Sequence, residues 1–128
     1  SINQKKGLVI GDRLEGIILP TLDQGTVNID NYLGKRLILF MWALGEHAVN
    51  NASMAGYYSR LREHNIDILS VAVDAQGPVL ARPYVEMAGL QFPTVIDSEN
   101  ILGHVFNFKA IPNVVLIEPS GVIDRKRT

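Results

Sequence analysis

Leu37-Ile38-Leu39-Phe40-Met41-Trp42-Ala43-Leu44 is a run of eight apolar residues, bounded by Lys35-Arg36 and by Gly45. A continuous run of this length, without the alternation of a one-sided strand, predicts a strand over 36–43 covered on both faces, as inside a mixed or parallel sheet. Ile66 to Val73 predicts a second buried strand, closing at Asp74. Between them the period changes. Val49, Ala52, Met54, Tyr57, Tyr58 and Leu61 recur at three- and four-residue steps, while Asn50, Arg60, Arg62 and Glu63 take the outer positions. That spacing predicts a helix from Glu46 to Asn65, with Glu46 in the first turn complementing the positive helix end.

Upstream, Glu15–Leu22 and Thr26–Ile29 flank Asp23-Gln24-Gly25 and predict a small hairpin. Downstream, Ala75-Gln76-Gly77 turns into a helix from Pro78 to about Met87, ended by Gly89. Pro83 inside that pattern predicts a kink or a late start. Phe92 to Ile96 predicts a short strand, and Ser98 to Phe106 a short helix capped by Ser98 and Glu99. Asn113 to Ile117 predicts a strand, followed by the turn Glu118-Pro119-Ser120-Gly121 and a last strand from Val122 to about Lys126. The order hairpin, β, α, β, α, β, α, β, β predicts an α/β sandwich around a central mixed sheet flanked by helices. Without repeat, low-complexity tract or linker, residues 1–128 read as one domain.

Composition narrows the function classes. The 47% hydrophobic and 20% charged content is that of a globule with a real core. Twelve basic against thirteen acidic residues leave a net charge of −1, so no bulk field draws nucleic acid or an anionic membrane. Arg125-Lys126-Arg127 reads as a solvated chain end. No apolar stretch approaches the ~20 residues of a membrane helix, and Ser1 to Lys6 lacks a signal-peptide core. Opening on Ser rather than Met points to a trimmed N-terminus, with any signal or anchor upstream. The absence of cysteine excludes disulfides, thiolate metal sites and thiol nucleophiles together. His47, His64 and His104 form no metal-binding pair of the H-x-x-x-H or H-x-E kind, so no metal or other cofactor is expected. Asn51-Ala52-Ser53 matches a glycosylation sequon, but within a predicted helix it carries no weight.

Three segments carry a family resemblance. Gly34-Lys35-Arg36-Leu37-Ile38-Leu39-Phe40-Met41-Trp42-Ala43 resembles the approach to the active site in the alkyl hydroperoxide reductase/thiol-specific antioxidant (AhpC/TSA) and TlpA/ResA-like thiol-disulfide reductase families. Phe92-Pro93-Thr94-Val95-Ile96-Asp97 resembles their F-P-[VT]-x-x-D strand. Ile111-Pro112-Asn113-Val114-Val115-Leu116-Ile117-Glu118-Pro119-Ser120-Gly121-Val122-Ile123 resembles their G-[IV]-P-T-x-[FV]-[LV]-I-D-x-x-G-x-I segment. In order and spacing the resemblance covers roughly Gly11 to Asp124. It implies a thioredoxin-like fold, a cis peptide bond before Pro112 (proline being the residue that makes cis cheap), and, for the reductases, an extracytoplasmic location.

Within that resemblance, the two cysteines of the C-x-x-C motif fall at Glu46 and Val49, with His47 and Ala48 between them. The Thr three residues before the peroxidatic cysteine falls at Ala43. Glu and Val are not the Ser or Ala of deliberate cysteine removal, so the loss reads as natural. No catalytic residue remains of either thiol programme. The expectation is a redox-inactive module with a groove formed by Trp42, Glu46, His47, Ile111 and Pro112. Such a groove can hold an extended peptide by main-chain pairing, with Phe40 and Trp42 packing in the core beneath it. A second reading makes Glu46 and His47 a cysteine-independent acid–base pair. Adjacent residues point about 100° apart on a helix, so a capping Glu46 beside an exposed His47 outweighs it. A third reading is a structural domain whose ancestral site has decayed. Relatives continue past the last strand into a helix that covers one sheet face. This sequence stops directly after that strand, so either a C-terminal part lies beyond it or another chain supplies the cover. The expectation is an apolar patch and a homodimer or packing contact through it.

Overall fold

The computed structural model of the chain describes residues 7–21, 25–43, 58–73, 82–83, 86, 93–107 and 113–127. The two long apolar runs form its centre. Strands β3 (Arg36–Ala43) and β4 (Ile66–Val73) lie parallel and in register over all eight residues, from Arg36↔Ile66 to Ala43↔Val73. β5 (Thr94–Ile96) extends the parallel half beside β4. β6 (Asn113–Ile117) and β7 (Ile123–Arg127) extend the antiparallel half beside β3. The sheet order is therefore β5-β4-β3-β6-β7, the mixed sheet that the pattern predicts.

Side chains alternate across this sheet, and its two faces are covered differently. Leu37, Leu39 and Met41 of β3 join Leu69, Val71, Val95, Val115, Ile117 and Ile123 on one face. Over them lie Leu14, Ile17, Leu19 and Ile29 of the N-terminal segment, and Leu102, Val105 and Phe106 of the helix Ile101–Phe106. On the opposite face Phe40, Trp42, Ile68, Ser70, Ala72 and Ile96 are buried, whereas Ile38, Val114 and Leu116 are only half-buried. The helix α1 (Tyr58–Glu63) packs on β4. Asn65 follows at φ 60, a left-handed residue of the kind that closes helix C-termini.

Several boundaries differ from expectation for local reasons. The N-terminal hairpin is β1 (Ile18–Pro20) against β2 (Thr26–Asn28), shorter than the predicted strands. A 3-10 turn, Ile29–Tyr32, follows it, because the Asn28 side chain accepts the Asp30 N–H at 3.0 Å and caps it. The last helix, α2, begins at Ile101 rather than Ser98. Neither Ser98 nor Glu99 caps it: the Asp97 carboxylate accepts the N–H groups of Ile101 and Leu102, at 2.7 and 2.9 Å. β7 begins at Ile123, while Val122 bridges to Arg13. Between Ile117↔Ile123 and Leu116↔Arg125 the register shifts, leaving Asp124 as an extra, bulged residue. The first part of the predicted Glu46–Asn65 helix lies outside the described residues. So does most of the Pro78–Met87 helix, in which Arg82, Pro83 and Glu86 are helical.

Candidate functional site

The site expected from the sequence belongs to one end of the sheet. β3 ends there at Ala43, three residues before Glu46, and β6 begins there at Asn113, the residue after Pro112. Met41 and Asn113 are register partners across the antiparallel pair. The two strands that lead to the expected groove are thus adjacent, and they end side by side. Glu46, His47, Val49, Ile111 and Pro112 themselves lie outside the described residues, as does the peptide bond expected to be cis. Trp42 is the one expected site residue that the structure describes.

Trp42 is fully buried, on the face of β3 opposite the main core, next to Phe40 at 5% exposure. This is the face on which strand alternation puts both side chains. The indole Nε1–H donates to Ser70 Oγ at 2.6 Å, a buried side-chain bond between β3 and β4. An indole N–H deprived of solvent requires such a partner, so Ser70 fixes the ring orientation. Fully buried, Trp42 offers no surface to a ligand. Thr94, the register partner of Ser70 on β5, has a buried hydroxyl without a hydrogen-bond partner among the described residues.

Asp97 occupies the same end of the sheet, and composition and motif gave it no role. Its backbone N–H donates to Ala72 O at 2.8 Å, fastening it to the end of β4. Its carboxyl group is fully buried and caps α2. Burial pushes this carboxyl above its usual range. The N–H groups of Leu102 and Ile101 pull the other way, Glu99 adds a further upward push, and His104 draws it down. The helix it caps closes at its C-cap Asn107, five residues before Pro112 in the sequence. A carboxyl residue after a strand and four residues before an apolar helical run was the available signal, since it matches side-chain capping one residue earlier than Ser98.

Among the described residues, no three His, Cys, Asp or Glu side chains converge as a metal site, and no helix is long and apolar enough to cross a membrane. Asp97 is the only buried ionisable side chain among them. The arrangement is a rigid, apolar platform with a capped helix beside it, and the chain has no thiol to place on it.

Known proteins share this frame. The ResA thiol-disulfide oxidoreductase of Geobacillus kaustophilus is 23% identical over 122 residues, which are 94% of this chain and 70% of that protein. The thioredoxin domain of a thiol-disulfide oxidoreductase from Bacteroides vulgatus superposes with a TM-score of 0.80 at 17% identity, covering 95% of this chain and 91% of that one. Enterococcus faecalis AhpC superposes with a TM-score of 0.78 at 19% identity, covering 92% and 79%. At these identities the structural likeness establishes a thioredoxin-like fold. The AhpC/TSA family profile matches residues 10–126, nearly the whole length. This chain is a member of the AhpC/TSA family that contains no cysteine.

Proposed function

We propose that the chain is a redox-inactive redoxin module that binds an extended protein or peptide segment where β3 ends and β6 begins. The observation that carries this reading is the register of Met41 with Asn113 over a buried, hydrogen-bonded Trp42. It supports a kept frame in a chain without a sulfur nucleophile. Thiol–disulfide exchange needs a thiolate, which Glu46 and Val49 do not supply. Main-chain pairing with a peptide needs only backbone groups presented by an extended segment. The contacts in this reading come from Glu46, His47, Ile111 and Pro112, with Trp42 as support. The test has two arms. Pure protein is assayed for reduction of insulin disulfides and of peroxide, and the expected rate is that of buffer. Binding to an array of extended peptides is compared with that of Pro112→Ala, which is expected to lose it. Turnover by pure protein, or binding unchanged in Pro112→Ala, overturns the proposal. A non-redox activity, such as hydrolysis, that disappears in His47→Ala but not in a surface control assigns the site to acid–base chemistry instead.

A further inference from the structure

We propose that residues 7–13 form a displaceable strap along the edge of β7, and that the strap covers a second site for an extended peptide. The order β5-β4-β3-β6-β7 makes β7 an outer strand, and an outer strand offers its backbone groups to any strand that fits. Here the chain's own N-terminal segment takes them at the start of β7. Gly11 N–H donates to Ile123 O, Ile123 N–H to Asp12 O, and Leu14 N–H to Gly121 O, each at 2.8 Å. Between these bonds Arg13 and Val122 form an antiparallel bridge. All of these are main-chain contacts, which another extended segment can reproduce whatever its side chains.

A second latch lies upstream. Leu8 is half-buried against the core, its N–H donates to Val105 O at 2.8 Å, and its carbonyl accepts from Lys126 Nζ at 2.9 Å. The apolar hold on the strap is otherwise slight. Val9 and Ile10 are 55% and 61% exposed, whereas Leu14, just behind the strap, is fully buried and anchors the chain there. The turn between the two latches is closed within the strap itself. Val9 N–H donates to Asp12 Oδ2 and Asp12 N–H to Val9 O, both at 2.9 Å, so this turn travels with the strap and does not fasten it to the sheet. With so little apolar area buried, lifting the strap costs far less than unfolding the core. Lifting uncovers a defined set of groups: the N–H and C=O of Ile123, the carbonyl of Gly121, the Lys126 ammonium and the place of the Leu8 side chain. They fit an extended segment that carries a leucine-sized side chain three residues before its paired stretch, the spacing from Leu8 to Gly11. The strap has this chemistry and so acts as a tethered competitor. The apparent affinity for any other segment is reduced to the fraction of molecules in which the strap is lifted.

This site and the one at the end of β3 lie at opposite ends of β6. Asn113 begins that strand, and Ile117, the register partner of Ile123, ends it, roughly 13 Å away. The two sites therefore succeed or fail independently. The probe is a fluorescently labelled peptide with the sequence of residues 7–14, titrated by anisotropy against the full chain and its variants. Gly11 sits at φ 96, which proline cannot adopt, and Gly11→Pro also removes an N–H donor, so it lifts the strap. The probe is expected to bind Gly11→Pro at least about tenfold more tightly than the parent. Adding Lys126→Met to Gly11→Pro should weaken that binding about tenfold, whereas adding Pro112→Ala should leave it unchanged. Circular dichroism checks that each variant is folded, and Leu8→Ser, which opens the upstream latch, replaces Gly11→Pro if that variant does not fold. Equal binding to the parent and the lifted variant overturns the proposal, as does no binding to either. Binding that is lost with Pro112→Ala but kept with Lys126→Met places the probe at the end of β3 and overturns it too.

Discussion

At the scale of single residues, Asp97 shows how a buried charge is kept. Its side chain is removed from water, yet each carboxylate oxygen accepts a backbone N–H at the start of α2. Replacing it with Ala strips both caps, and a cost of about 1–2 kcal/mol is expected. The pH dependence follows from its raised carboxyl. A group whose folded value lies above its unfolded value binds protons more tightly in the fold. Its contribution to stability is complete below the unfolded value and is lost as the pH climbs through the raised one. The Asp97→Asn variant keeps one acceptor and cannot ionise. Urea unfolding of both proteins across the acidic range should therefore show the difference in stability moving against the parent as pH rises. A difference moving the other way would mean that the two N–H bonds outweigh burial. Trp42 teaches a related lesson. Its burial in the core was legible from strand position, but its partner Ser70 was not, because β3 and β4 are distant in sequence and only their register brings the two together.

At the scale of elements, two glycines in similar-looking loops and helices should respond oppositely to the same change. Gly121 closes the β6–β7 turn at φ +92, a conformation that L side chains resist, and an added Cβ would press on Leu33 Cδ2 and Leu14 O at 3.1 and 3.3 Å. Gly121→Ala is expected to destabilise by about 1–3 kcal/mol. Gly103 lies inside α2, and the three atoms nearest to a Cβ there are the side-chain amide of exposed Asn100, which makes no capping bond and would have to move aside. That end can swing away, so Gly103→Ala should stabilise by up to about 1 kcal/mol through helix propensity. Thermal melts of the two variants, shifting in opposite directions, are the check. The same elements show what patterning could and could not reveal. The strands Arg36–Ala43, Ile66–Val73 and Asn113–Ile117 were legible to the residue, because strands in a sheet centre are predominantly apolar, broken here only by the flanking Arg36, by Asp67 and Ser70, and by the leading Asn113. The 3-10 turn at Ile29–Tyr32, the start of α2 and the bulge at Asp124 were not. Each is decided by one hydrogen-bonding side chain or one extra residue, and periodicity does not register either.

At the scale of the molecule, the strand that sequence composition assigned to a solvated end works as a clamp. The bulge at Asp124 sets Lys126 opposite Val115, on the core face rather than the open one. From there its ammonium donates to Leu8 O at 2.9 Å and to Phe106 O at 3.3 Å. Three regions far apart in sequence are joined at one point: the N-terminal segment, the end of α2 and the outer strand. Leu8 N–H in turn donates to Val105 O at 2.8 Å, so the segment is held to α2 by its own backbone as well. A basic triplet near a chain end carries no sign of this, since the contact spans 118 residues. Lys126→Met keeps the apolar stem and removes the donors. Hydrogen bonds from a charged group contribute about 1.5–3 kcal/mol, and the loss should be local because β3 and β4 pair without Lys126. Hydrogen exchange is therefore expected to quicken at the Leu8 amide and around the end of α2, while the amides of β3 and β4 keep their protection. Equal acceleration everywhere would show that the clamp belongs to the global folding unit, and that the N-terminal segment does not open on its own.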